Sequence, residues 1–178
     1  LGNSLGGGAS LRTALDYPDR VGKLVLMGPG GAHRPVFSPT PAEGIKLLGQ
    51  VAAAPSRETV EAFLRVMVYD QKWITDELIE ERVSAALDPE NRQGLVRTMS
   101  SFAEARAGEL WRELDRIPHP TLLFWGRDDR TLPLDGAFLA LQQLPDARLH
   151  VFPRCAHWAQ LEHREAFDRL TIDFLENG

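Results

Sequence analysis

Apolar residues are spaced in two ways along the chain. Near both ends, short apolar runs alternate with helical stretches. Residues 5–17 put Leu11, Ala14 and Leu15 on one face and stop before Pro18, so the spacing predicts a helix there. The run at 23–27 (KLVLM), ended by Gly28-Pro29-Gly30-Gly31, predicts a buried parallel strand that opens into a loop. Residues 121–125 (TLLFW), ended by Gly126, and 148–152 (RLHVF), ended by Pro153, read in the same way. A closing helix is expected over 161–175, with Phe167, Leu170, Ile172 and Phe174 supplying its apolar surface.

The middle of the chain changes period. From about residue 30 to 117 strand signals are nearly absent, while Val60, Phe63, Leu64 and Met67 repeat at i, i+3, i+4, i+7, and Leu95, Val96, Met99 and Phe102 do so nearly as well. Thr75 is placed to cap a helix whose first turn carries Asp76 and Glu77. Alternating helix and strand on the outside imply an α/β fold with a parallel sheet. The expected organisation is core over 1–29, an inserted helical cap over 30–117, and core again over 118–178. The chain opens at Leu1 on a Gly-rich motif with no strand before it, so further strands are expected to precede it, and this piece alone is expected to fold poorly and be inactive.

Composition narrows the classes of function. With 178 residues, 43% hydrophobic, the chain can bury a real core. Twenty basic against 25 acidic residues, net −5, and no Lys/Arg run argue against a nucleic-acid partner. No apolar stretch approaches the roughly 18 to 20 residues that span a bilayer, so no membrane role is expected. A lone cysteine, Cys155, excludes an internal disulfide or a multi-cysteine metal site and suits a reducing cytoplasm, the default localisation.

Gly2-Asn3-Ser4-Leu5-Gly6 matches G-x-S-x-G, in which the serine sits on a tight strand-to-helix turn that exposes its hydroxyl. The backbone N–H of Leu5, at the helix start, is a candidate oxyanion donor. The motif alone equally fits a phosphate-cradling turn. A serine nucleophile needs a base, and the base needs an acid, each from the end of another strand. Asp129 follows the strand at 121–125, with Asp128 as its rival, and His157 follows the strand at 148–152. The order Ser, Asp, His is the α/β-hydrolase order. Cys155 reads as a packing residue.

Arg82 draws attention on the cap. With Ile79, Val83 and Ala86 it falls in an apolar stripe, and no acid lies three or four residues away. An inward guanidinium must find an anion in the core, a cleft or a ligand; the alternative is an arginine that snorkels to solvent.

With Gly2-Asn3-Ser4-Leu5-Gly6-Gly7-Gly8, the strand end Leu24-Val25-Leu26-Met27-Gly28-Pro29-Gly30-Gly31, the cap segment Glu61-Ala62-Phe63-Leu64-Arg65-Val66-Met67-Val68-Tyr69-Asp70 and Cys155-Ala156-His157-Trp158, the chain resembles the meta-cleavage product hydrolases. These are α/β-hydrolase-fold enzymes of aromatic and steroid ring degradation, and several segments look closest to the steroid-ring branch. The resemblance implies the C-terminal part of that fold with its helical cap, a Ser4–His157–Asp129 triad, and hydrolytic cleavage of a carbon–carbon bond in 2-hydroxy-6-oxo-hexa-2,4-dienoate-type substrates. It implies Asn3, Arg82 and Trp158 as holders of the dienoate end. Met67 and Phe102 are expected to line the pocket. No metal or organic cofactor is implied, and a homo-oligomer is. Ala156 departs from the glycine that the family often has before the histidine.

Overall fold

A computed structural model describes residues 1–32, 34, 37–104 and 107–178, with side chains described for all of these but 99, 101–104, 107 and 108. Four strands, β1 (Gly2–Asn3), β2 (Leu24–Met27), β3 (Thr121–Gly126) and β4 (Ala147–Phe152), form a parallel sheet in the order β1-β2-β3-β4. Leu24 pairs with Thr121, and Thr121 with Ala147. Helix α1 (Leu5–Asp16) joins β1 to β2. β1 is the strand end of the strand-to-helix turn; its two residues carry too little periodicity of their own, and they form a strand by pairing with Leu26 and Met27.

Strand side chains alternate between faces, and both faces are covered, which is why β2 and β3 read as unbroken apolar runs. Leu24, Leu26 and Leu123 pack with Leu11 and Ala14 of α1 and with Ala140 of α6 (Asp135–Gln143). On the other face Val25, Met27, Leu122 and Phe124 meet Phe167 and Phe174 of α8 (Arg164–Asn177). Each fully buried Leu or Phe contributes about 1.5–3 kcal/mol relative to exposure. The closing helix is in fact two pieces, the short α7 (Ala159–Glu162) and α8, separated at His163 (φ −127°, ψ 41°).

Among the described residues the stretch between β2 and β3 is helical and contains no strand: α2 (Glu43–Ala53), α3 (Arg57–Met67), α4 (Asp76–Leu87) and α5 (Pro89–Glu104), followed by two 3-10 turns. It has its own apolar cluster, Val51, Val60, Leu64 and Ile79, which takes in Trp158 from the loop after β4. Thr75 caps α4, its hydroxyl accepting from Leu78 N at 3.2 Å. In α5 the expected stripe is narrower, since Leu95 packs inward but Val96 is exposed. Among the described residues, no helix is long and apolar enough to cross a membrane, and no cluster of His, Cys, Asp or Glu suits a metal ion.

Candidate active site

Ser4 sits where β1 ends and α1 begins. Its backbone is at φ 53°, ψ −117°, a region that a residue with a Cβ rarely adopts. Three main-chain hydrogen bonds hold it there: Ser4 N donates to Met27 O (3.0 Å), and Ser4 O accepts from Gly8 N (3.1 Å) and Gly30 N (2.7 Å). The turn is tight enough that a Cβ on Gly2 would stand 2.3 Å from Gly6 O. A serine at this helix position ordinarily caps the helix, yet Ser4 makes no side-chain cap. A strained backbone and an unspent hydroxyl together mark a candidate nucleophile. Leu5 opens α1, so its N–H is one of the first-turn amides that have no acceptor within the helix.

The candidate acid and base come from the ends of β3 and β4. Asp129 Oδ2 lies 2.7 Å from His157 Nδ1, with 1% and 0% of the two side chains exposed. Asp129 Oδ1 accepts from Thr131 N (2.7 Å) and Leu132 N (2.9 Å), so the loop's own amides orient the carboxylate. Asp128 does not share this position: its carboxylate lies 3.4 Å from Arg127, partly in solvent. His157 Nδ1 is thereby committed to the acid, and buried Nε2 has no hydrogen-bond partner among the described residues. A neutral imidazole so held carries its proton on Nδ1 and offers Nε2 as acceptor, the state that a serine's general base needs. Gly28, at φ +42°, passes directly beneath: a Cβ there would lie 3.1 Å from His157 Cε1. No hydrogen bond joins the Ser4 hydroxyl to Nε2 among the described residues; such contacts commonly tighten when substrate binds.

Asn3 links the two halves. Its Nδ2 donates to Met27 O (3.1 Å) and to His157 O (3.2 Å), tying the serine turn to the histidine backbone. Both acceptors are carbonyls, which fixes the amide's orientation and leaves Oδ1 as its unspent polar atom. Met67, expected to line a pocket, is 95% buried, and its carbonyl accepts from His157 N (3.0 Å) and Trp158 N (3.2 Å). Its sulfur receives the Thr131 hydroxyl at 3.5 Å. The side chains of Phe102 and Met99 lie outside those described.

Of the two readings open for Arg82, an inward or a solvated guanidinium, the structure has the solvated one. Its side chain is 53% exposed, and its nearest acid is the adjacent Glu81, at 3.8 Å. It lies at the edge of the stripe that Ile79 buries, where solvation of the charge outweighs packing. Even so, the fold brings Arg82 and Trp158 together: with Trp73, Leu78, Leu161 and Arg164 they line a groove of about 690 Å³.

Cys155 is fully buried, and burial, followed by the Glu162 and Asp129 carboxylates, pushes its thiol pKa far up. A thiol held protonated is no nucleophile. The sequence reading missed Glu162. It sits at the end of α7, and its carboxylate accepts from Ala156 N (2.7 Å), Tyr69 N (2.7 Å) and Asp70 N (3.0 Å). An acid five residues beyond the histidine carries no periodic signal that would have singled it out.

Comparison with known proteins identifies the family. Residues 1–164 match the family model described as alpha/beta hydrolase fold. Over its whole length the chain is 48% identical to a 2-hydroxy-6-oxo-6-phenylhexa-2,4-dienoate hydrolase of Burkholderia cepacia. It is 46% identical to a 2-hydroxy-6-oxononadienedioate/2-hydroxy-6-oxononatrienedioate hydrolase of Comamonas testosteroni. In each case it spans 62% of the relative's length. The solved 2-hydroxy-6-oxo-6-phenylhexa-2,4-dienoate hydrolase of Rhodococcus sp. strain RHA1 superposes with a TM-score of 0.84 at 32% identity, covering 98% of this chain and 62% of that one. The chain belongs to the α/β-hydrolase fold family, and within that family its similarity runs to the meta-cleavage product hydrolases.

Proposed function

We propose that this chain carries the Ser4 nucleophile, the His157 base and the Asp129 acid of a hydrolase that cleaves a carbon–carbon bond in 2-hydroxy-6-oxo-hexa-2,4-dienoate-type products of ring cleavage. The dienol first becomes a ketone as its hydroxyl proton is transferred to C5. Ser4 then adds to the C6 carbonyl and gives its proton to His157 Nε2, while Leu5 N–H faces the developing oxyanion. The C5–C6 bond breaks, and its electron pair forms the C4–C5 double bond and shifts through C3 to the C2 oxygen, which takes the proton that His157 received from Ser4. Water then releases the acyl group from Ser4, so one water is consumed, giving a 2-hydroxydienoate and a carboxylic acid. Neither a metal nor an organic cofactor is needed.

The observation that carries this reading is the buried Asp129–His157 pair, tied through Asn3 to the strained Ser4 turn; Trp158, next to His157, lines one groove with Arg82. A guanidinium and an indole lining one groove suit a planar conjugated carboxylate, through bidentate hydrogen bonds and stacking. Asn3 Oδ1 is suited to accept from the substrate's 2-hydroxyl. Residues 30–117 act as the cap that roofs the site. The relatives' names point to phenyl- and dicarboxylate-bearing substrates, and the steroid-ring branch is the narrower version of the same proposal. A cytoplasmic homo-oligomer completes the reading, to be checked by fractionation and sizing.

The exposure of Arg82 favours one rival, a simple carboxylesterase that shares the three residues but needs no carboxylate clamp. Arg82→Ala in the intact protein separates the two. Loss of yellow dienolate absorbance should slow by about 10- to 100-fold, from the loss of a charged hydrogen-bonding pair, while hydrolysis of a neutral p-nitrophenyl ester stays near native. Equal rates on both substrates in native and variant protein would reject the dienoate reading. A panel of phenyl-, dicarboxylate- and steroid-derived dienoates ranks the branches.

A further inference from the structure

The end of α3 and the histidine loop are sewn together by main-chain groups. Met67 O accepts from His157 N and Trp158 N, and two residues on, Tyr69 N and Asp70 N both donate to Glu162 Oε2. The other oxygen of the same carboxylate, Oε1, receives Ala156 N, the amide immediately before the histidine. One side chain therefore satisfies three backbone donors, two from the helical insertion and one from the loop that carries His157. A carboxylate is the side chain suited to this, since it is all acceptor and its hydrogen bonds to amides are charge-assisted.

From this arrangement we infer that Glu162 is a positioning residue: it sets the imidazole of His157 against Ser4 by locking the histidine loop to residues 69 and 70 of the helical insertion. The inference rests on the assignment of His157 as general base. His157 has few other anchors. Its Nδ1 is held by Asp129, its N by Met67 and its O by Asn3, while the Cys155–Ala156 peptide unit before it is held at its carbonyl by Asp128 N and at its amide by the Glu162 carboxylate. Movement of α3 would accordingly be felt at the base as well as in the roof of the pocket.

The test uses the intact protein with Glu162→Ala and Glu162→Gln. Competent sites are counted with a fluorophosphonate that consumes Ser4 stoichiometrically, and kcat is then expressed per titrated site on a dienoate and on p-nitrophenyl acetate. For Glu162→Ala, kcat per site should fall by about 10- to 100-fold on both substrates while KM stays within about twofold, since misplacing a base slows chemistry more than it weakens binding. Glu162→Gln keeps one acceptor oxygen and should recover part of the loss. A residue that merely stabilises the fold would lower the number of titratable sites and leave kcat per site native, and that result overturns the inference. If the alanine variant does not fold, the glutamine variant decides by the same measure. Should native protein react with the fluorophosphonate but ignore dienoates, the proposed substrate class fails, and the ester rates still judge Glu162.

Discussion

The Asp129 carboxylate divides its two oxygens between His157 Nδ1, at 2.7 Å, and the backbone amides of Thr131 and Leu132. An amide in its place cannot do both. In Asp129→Asn the oxygen would stay with the two backbone donors, and the NH2 would face Nδ1, forcing the imidazole to accept there and carry its proton on Nε2. The base would then be in the wrong tautomer, and kcat should fall on the order of 10⁴-fold, as the Ser-His-Asp template leads one to expect. Asp128→Asn, which alters a partly exposed acid beside Arg127, should leave kcat near native. Comparable losses in the two variants would undo the assignment.

Ser4 offers a trade of stability against activity. At φ 53°, ψ −117° a serine costs about 1–3 kcal/mol, and glycine adopts such angles without that strain. Ser4→Gly should therefore be inactive yet melt a few degrees higher, at about 2–4 °C per kcal/mol for a domain of this size, less the glycine's extra unfolded-state entropy. Differential scanning calorimetry reads this directly. A lower Tm in the variant would mean that the turn is not strained at this residue.

Asn3 behaves as a tether, so the sign of its substitutions is set by the two carbonyls it serves. Asn3→Ala leaves Met27 O and His157 O each short of a donor and should cost about 1–3 kcal/mol. Asn3→Asp sets an acceptor-only carboxylate against both carbonyls and should cost more at pH 7, with part of the loss regained as the acid protonates and can donate once. Urea titrations at pH 7 and pH 4 give the comparison, each referred to native protein at the same pH. An aspartate variant more stable than the alanine variant at pH 7 would contradict the tether.

How much of this could be read from the sequence depends on how local each signal is. The strand over residues 121–125 and the stripe of Val60, Phe63, Leu64 and Met67 are periodic over one element, and both formed where the spacing put them. The elbow at Ser4 was legible because Gly2 answers a local steric requirement, a Cβ there standing 2.3 Å from Gly6 O. The pairing of β1 with β2, the carbonyl of Met67 and the bonds from Tyr69 and Asp70 to Glu162 join residues 24 to 93 apart, and nothing in their own neighbourhood announces them. Arg82 marks the limit of periodicity itself: a helical wheel places its Cα within the stripe, but a long charged side chain reaches back to water. For Cys155 the sequence suggested a packing residue, and its complete burial gives that reading a measurable consequence.

That consequence appears at alkaline pH. The folded thiol is held protonated by burial and by the nearby Glu162 and Asp129 carboxylates, whereas the unfolded chain's thiol ionises near its ordinary value of about 8.5. Above that value the native state retains a proton that the unfolded state has released, so unfolding becomes easier as pH rises. The slope attributable to this one group approaches about 1.4 kcal/mol per pH unit. Cys155→Ala removes the group, and its stability, measured by urea unfolding between pH 7.5 and 10.5, should decline less steeply than that of native protein; lysines and tyrosines titrate alike in both and cancel in the difference. In the same range Ellman's reagent should leave the folded native protein unmodified and react with one thiol after denaturation. Parallel stability curves, or rapid labelling of folded protein, would show that the thiol is open to solvent and that the histidine loop around it is looser than its hydrogen bonds imply.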